Sequence, residues 1–327
     1  MTRTLVDADL IKRAVTLASR APSLHNSQPW LWVADGPALQ LFLDHSRIVR
    51  HTDSSGREAL ISCGVVLDHL RLAMAAAGWQ SFVDRFPNPN APGHLASVDF
   101  RRAAHVTEAN RRRANAILVR RTDRLPFLAP TDWEVFEVAL RELLDDSAVE
   151  LHVVPDELRG DLAEASRLTE ATRRYDSEYH AELDWWTAPF ELDQGIPRSA
   201  LNSVLEADRL DVNRAFPVAG HPERRPATGR DRSKILVLST PEDTRSDALA
   251  SGEALSEVLL ECTAVGLATC TVTHVTEVEA ARGVVRELIG GVGVPQVLVR
   301  VGRVPQFEQA PSATPRRQLT DILRFRH

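Results

Sequence analysis

Apolar residues recur at helical spacing over residues 7–19. Leu10, Ile11, Ala14, Val15, Leu17 and Ala18 form one face of an amphipathic helix that Pro22 ends. Residues 30–33 and 39–43 predict a short antiparallel pair that turns at Asp35-Gly36-Pro37. A long apolar helix follows over 54–77, with Gly78 as its C-terminal cap, then a second strand pair over 79–85 and 94–102. Residues 108–119 read as a helix, and residues 126–130 as an extended connector. Thr131 with Glu134 reads as a capping box opening the next helix. Residues 149–154 are a strand and 156–172 a helix. After a long excursion the chain returns to a strand over 234–238 and a helix over 246–265. That helix carries Leu255, Val258, Leu259, Cys262 and Val265 on one face, and Gly266 caps it. A strand at 268–273, a helix at 277–289, a glycine turn at 290–293 and a buried strand at 296–301 come next, and residues 315–325 close the chain. Helices alternating with short strands and hairpins make an α+β protein of mainly antiparallel sheets flanked by helices, with no short-period repeat.

Residues 175–233 break this rhythm. They hold Trp185, Trp186 and Phe190, several prolines and a polar run over 221–232. They read as a lid-like insertion outside the core, helical over 198–209, whose aromatic cluster packs on something.

Composition narrows the classes. The chain has 327 residues, 43% hydrophobic and 26% charged, enough for about two domains. A net charge of −6 argues against nucleic acid as the main partner. Lysines number two and arginines 37, a bias that genome composition explains, although guanidinium also binds phosphate and carboxylate bidentately. The three cysteines, Cys63, Cys262 and Cys270, follow no pairing motif, which fits a reducing compartment. No signal-like start and no run near 18 apolar residues is present, so the reading is cytoplasmic, with no membrane partner. There is no Walker A loop, no G-x-S-x-G elbow and no zinc spacing. Cys270 and His274 sit on a strand and its exit, so no metal is expected.

The informative segment is Ala21-Pro22-Ser23-Leu24-His25-Asn26-Ser27-Gln28-Pro29-Trp30. Prolines stiffen both ends of a run rich in hydrogen-bond donors, placed between a helix and an apolar strand. Such a loop suits a planar heterocycle edged with carbonyls and ring nitrogens. An ordinary capped turn would use the same residues.

The segment resembles the P-S-x-x-N-x-Q-P-W signature of the flavin-dependent nitroreductase family. Arg120-Arg121-Thr122-Asp123-Arg124-Leu125-Pro126-Phe127 resembles that family's R-R-S-x-R-x-F phosphate segment, with threonine for serine. Residues 252–255, 266–269 and 293–303 resemble its closing half, and Thr314-Pro315-Arg316-Arg317 its C-terminal basic pair. The resemblance spans nearly the whole chain, but the order of motifs differs: the loop precedes the arginine segment, and each occurs once. This arrangement is similar to the Acg-type nitroreductase-like proteins of actinobacteria. It implies two fused halves, 1–106 and 107–327, with 175–233 inserted in the second, and one composite flavin site. The chain would then be a monomer with an internal pseudo-dimer, or a weak homodimer. The resemblance implies FMN as cofactor. It assigns Pro22, Ser23, His25, Asn26, Ser27 and Gln28 to the ring edge and ribityl chain. It assigns Arg120, Thr122, Arg124, Arg316 and Arg317 to the phosphate, and Thr271, Val272, Thr273 and His274 to the loop over the ring. NADPH or NADH would deliver hydride, and a nitroaromatic or quinone would accept it, with no protein nucleophile needed. If Trp185 and Trp186 covered the ring permanently, the protein would instead hold FMN without turnover.

Overall fold

The computed structural model describes residues 6–188, 194–217, 222–306, 308 and 313–326. Phe190 and His221 lie outside them.

The first unit runs α1 (Ala8–Ala18), β1 (Trp30–Asp35), β2 (Ala38–Leu43), α2 (Arg57–Ala76), β3 (Trp79–Arg85) and β4 (His94–Arg102). Helix α3 (Glu108–Val119), capped by the Thr107 hydroxyl on the Asn110 amide, leads to the second unit. That unit runs α4 (Trp133–Leu144), β5 (Glu150–Val154), α5 (Arg159–Arg173), α6 (Ser177–Trp186), α7 (Val204–Ala207), β6 (Lys234–Thr240), α8 (Arg245–Ala264), β7 (Ala268–Val272), α9 (Glu279–Leu288) and β8 (Val294–Gly302). A last turn, α10 (Leu319–Ile322), delivers β9 (Leu323–Arg326).

The two sheets have the same topology. One is ordered β3-β4-β2-β1-β9 and the other β5-β6-β8-β7. Apart from β9, each is an antiparallel sheet with a long helix between its second and third strands in chain order. That helix ends in both units at a left-handed glycine, Gly78 and Gly266, each with φ +82°. The fold is thus α+β, built from two repeated halves. The exception is β9, which returns from the C-terminus to pair parallel with β1 in the first sheet.

The halves meet at α2 and α8, each 20 residues long. A Cβ on Gly64 would sit 2.1 Å from the Leu249 carbonyl oxygen, and one on Gly252 would sit 2.0 Å from that of Ile61. The contact is reciprocal. Each glycine is the eighth residue of its helix, and each strikes the carbonyl three residues before the other. The helices therefore touch backbone to backbone. Around them one apolar core takes Trp30, Trp32, Leu67 and Leu70 from the first half and Val258, Leu259, Val297 and Val299 from the second. Helix α2 is the one described helix long and apolar enough to cross a membrane; 78% of its most apolar window is buried inside the protein.

Three local expectations need correction. The Thr131–Glu134 box does not form: α4 starts at Trp133, and its cap is Asp132, at φ +52° with no side-chain cap bond. Residues 198–209 are a 3-10 turn (Arg198–Ala200) and the single turn α7, while α6 was not foreseen. Nor does 175–233 stand outside the core. Tyr179, Leu183, Trp186, Leu201 and Val212 are buried, and ion pairs tie the segment down. Arg225 binds Asp123 at 2.6 Å, and Asp231 binds Arg300 at 2.7 Å.

Because neither carbonyl can retreat from a helix, Gly64→Ala or Gly252→Ala should cost more than the usual overpacking loss of about 1–3 kcal/mol. Gly283→Ala, within α9 with nothing within 4 Å of its Cβ, should instead gain up to about 1 kcal/mol. Denaturant unfolding of the three variants checks both signs.

Candidate functional site

Two clefts share a wall where the halves meet. The larger encloses about 750 Å³ of empty space open to solvent. From the first half it takes Pro22, Ser23, Leu24 and His25 of the loop after α1, and Glu58, Ile61, Ser62 and Val65 of α2. From the second it takes Thr122, Arg124, Leu255 and residues 270–274, and from the inserted segment Asn213, Arg214 and Phe216. The smaller cleft shares Pro22, Ser23, Thr122 and Arg124. It adds Arg20, Asn26, Arg120, Arg121, Thr314 and Arg316, with Ile196 and Pro197 from the insertion.

The loop holds its shape at a conformational cost. His25, Asn26 and Gln28 have φ of 50°, 61° and 51°, the left-handed region that side chains avoid. Its own side chains hold it there. The Gln28 amide donates to Ser23 Oγ (2.9 Å), and the Gln28 side-chain nitrogen donates to the Asn26 carbonyl (3.2 Å). Helix α2 anchors it through Ser62 Oγ, which accepts from the Leu24 amide at 3.3 Å. Arg317 locks the far side, its amide donating to Gln28 Oε1 (2.9 Å) and its guanidinium to Asp44 (3.2 Å). Ser23, His25 and Asn26 thus line the clefts, while Ser27, Gln28 and Arg317 do not and build the loop.

The arginines divide into two kinds. Arg214, Arg225, Arg282 and Arg300 are buried, and each pairs with a carboxylate. Arg20, Arg120, Arg121, Arg124 and Arg316 have no carboxylate partner among the described residues, although all five stand together in the smaller cleft. Arg121 and Arg316 donate only to backbone carbonyls. The buried Nε atoms of Arg20 and Arg120 have no partner among the described residues. Burial, then repulsion from Arg121 and Arg20, pushes Arg120 down to about 10. Burial, then Arg120, pushes Arg316 down to about 9. A guanidinium keeps its proton at neutral pH, so this repulsion is stored in the fold until an anion relieves it.

The larger cleft has its own orphans. His25 Nε2 and His274 Nδ1 are buried without partners among the described residues, while His274 Nε2 meets Ser166 Oγ at 2.8 Å. Burial, with Arg214 beside both rings, holds the two histidines well below their ordinary range, so both are neutral. Thr271, Val272 and Thr273 line the same wall. Trp185 and Trp186 do not line either cleft; the insertion contributes Asn213, Arg214 and Phe216 to the larger and Gly195, Ile196, Pro197 and Ala200 to the smaller. Phe216 meets His25 edge-on at 5.8 Å. Arg214 is fixed by Tyr179 Oη (2.8 Å) and by Glu277. The α2 side chains and Arg214 went unnoticed in the sequence, where they look like any helix face or any surface arginine.

The corner related by the internal repeat is closed. Val65, ninth in α2, lines the larger cleft, but its counterpart Glu253, ninth in α8, is held bidentately by Arg85 at 2.7 and 2.6 Å. Between α4 and β5 only residues 145–149 stand where the first half has its donor loop.

Comparison with known proteins gives full-length relatives. The chain is 55% identical over 326 residues to the Mycobacterium tuberculosis protein named "Putative NAD(P)H nitroreductase acg", covering 100% of this chain and 98% of that protein. It is 36% identical over 327 residues to a second M. tuberculosis protein, "Putative NAD(P)H nitroreductase Rv3131", covering 98% and 92%. Among solved structures, the FMN- and NADPH-dependent nitroreductase NfnB of "sphigopyxis sp. strain HMH" is 15% identical. That alignment covers 66% of this chain and 99% of that one, at a TM-score of 0.42. No protein-family model matches the chain.

An anion should stabilise this protein. Inorganic phosphate at 100 times its Kd should add about 2.7 kcal/mol to unfolding. Arg120→Met should abolish that gain, and without phosphate the variant should be at least as stable as the parent, because it removes a buried uncompensated charge. Thermal unfolding with and without phosphate reads both effects.

Proposed function

Because the chain belongs to the nitroreductase family, in its Acg-type branch, we propose that it is an FMN-binding oxidoreductase. It takes hydride from NADPH or NADH and passes it to a small electron-poor acceptor, a nitroaromatic or a quinone. The observation that carries this reading is the set of arginines without carboxylate partners beside the donor-rich loop. A phosphate dianion matches their charge and bidentate geometry.

The residues present fit FMN. Arg20, Arg120 and Arg316, with the Thr122 hydroxyl, would hold the phosphate. Arg124 lies on both clefts, where phosphate and ribityl chain would join. Ser23, His25 and Asn26 would hydrogen-bond the ribityl hydroxyls and the ring edge, and the orphaned nitrogens of His25 and His274 leave each ring one bond to make. Ile61, Val65, Leu255 and Val272 give the ring an apolar wall and keep water from it. Bound there, FMN supplies the two-electron chemistry. One chain supplies both walls, so a monomer suffices.

A second reading has its own support. The insertion reaches over the larger cleft with Phe216 and with Arg214, which two partners fix. If that cover stays shut to nicotinamide, the protein holds FMN without turning over. Anaerobic absorbance separates the two. Bleaching of the oxidised flavin by NADPH or NADH within seconds supports the reductase. Bleaching by dithionite alone supports sequestration. No FMN bound overturns both. Arg120→Met should weaken FMN at least tenfold, about the value of one charge-assisted hydrogen bond, and change riboflavin affinity less than twofold. Equal losses for both would remove the phosphate assignment.

A further inference from the structure

Behind the larger cleft lies a second, polar one, bordered by Thr52, Asp53, Arg57, Asp243, Glu277 and Arg282. One side chain, Glu58 in the first turn of α2, borders both. It is 2% exposed. Its Oε1 accepts from Arg57 at 2.5 Å, and its Oε2 has no partner among the described residues.

The charges around it do not balance. Three buried carboxylates, Asp53, Glu58 and Glu277, face two guanidiniums, Arg57 and Arg214. Asp53 is committed to the start of α2, accepting from the Glu58 and Ala59 amides at 3.1 and 2.9 Å. Glu277 holds Arg214 and accepts from the Thr273 hydroxyl at 2.8 Å. Arg57 is shared with the Gln296 and Thr276 carbonyls at 2.8 and 3.0 Å. Asp243 and Arg282, on the far wall, neutralise each other. His25 and His274, facing Glu58 across the larger cleft, are neutral and contribute no charge. One excess negative charge remains, and a proton cancels it most cheaply on the carboxylate with a free oxygen. Burial raises the Glu58 carboxyl to about 8, with Glu277 and Asp53 adding to burial and Arg57 opposing it.

We infer that Glu58 is the proton donor to the acceptor in the larger cleft, recharged through the polar cleft behind it. This rests on the oxidoreductase reading. Reduction of a quinone to a hydroquinone takes two electrons and two protons. Both electrons and one proton would reach the acceptor as hydride, the chemistry that bound FMN would supply. The second proton leaves the Glu58 carboxyl as its O–H bond breaks and a new O–H bond forms on the acceptor oxygen. The carboxylate left behind is reprotonated from solvent through the polar cleft that Thr52 and Asp53 border.

The test has two arms. Infrared spectra of the parent and of Glu58→Gln, without cofactor, read the proton directly. The parent should show the C=O stretch of a buried carboxylic acid at pH 7, fading as pH rises through about 8, and the variant should lack it. Identical spectra overturn the inference. In the second arm both proteins are saturated with FMN, reduced with dithionite and mixed with benzoquinone across pH 6–9. The parent's oxidation should slow as pH rises through the same titration. Glu58→Gln should be slower by on the order of 100-fold, the usual worth of a general acid, and pH-independent. Equal rates and profiles overturn the inference while leaving the oxidoreductase reading intact. Failure of the parent to bind FMN overturns that reading first, and is seen before any variant is made.

Discussion

Two helices that cross at a pair of glycines, with no side chain between them at that point, set the geometry of this protein. At Gly64 and Gly252 a single methyl group would fall about 2 Å from a backbone oxygen, so α2 and α8 meet backbone to backbone. That contact fixes both halves at once, because each helix joins the second and third strands of its own sheet. It also places the clefts. Helix α2 carries Glu58, Ile61, Ser62 and Val65 along one wall, and Ser62 pins the donor loop to it. Helix α8 brings Leu255 to the opposite side. A separation larger by one methyl would move the loop away from the arginines it must face.

The internal repeat would give two such clefts, and charge decides which survives. At one, guanidiniums gather with no described carboxylate to satisfy them, a costly arrangement for a fold unless an anion completes it. At the other, Glu253 stands where the first helix has Val65, and Arg85 and Arg71 close on it. Where the protein has no ligand to bind, its buried arginines are paired; where they are left unpaired, they face a cleft. The same rule separates Arg225 and Arg300, which tie the insertion to the second half, from Arg316, which donates to backbone carbonyls, and Arg120, whose Nε has no partner among the described residues.

Much of this was legible in the chain. Periodicity marked most helices and strands, because α1 buries one clear face and β8 is mostly apolar and buried along nearly its whole length. The loop and arginine motifs marked residues that the fold brings to the two clefts. What failed had local causes. Thr131 looked like a cap, but α4 begins one residue too late for it. Gln28 and Arg317 looked like ligand donors, but a loop with three left-handed residues consumes its own side chains. Trp185 and Trp186 were the conspicuous residues of the insertion, yet Phe216 and Arg214 reach the cleft. Glu58 had no motif, and only the neighbours brought in by the fold, Asp53, Glu277 and Arg214, give it a charge problem to solve. The return of β9 to the first sheet is a long-range pairing that no local pattern carries.

The central claim is one composite site per chain, built from the loop of one half and the arginines of the other. Titration of the flavin-free protein with FMN, alongside its mass in solution, tests it most directly. The account predicts saturation at one FMN per chain in a species that is a single chain. Two FMN per chain would mean that the Glu253 corner is open. One FMN per two chains would mean that the site forms between copies. Either result, or no binding, would contradict it.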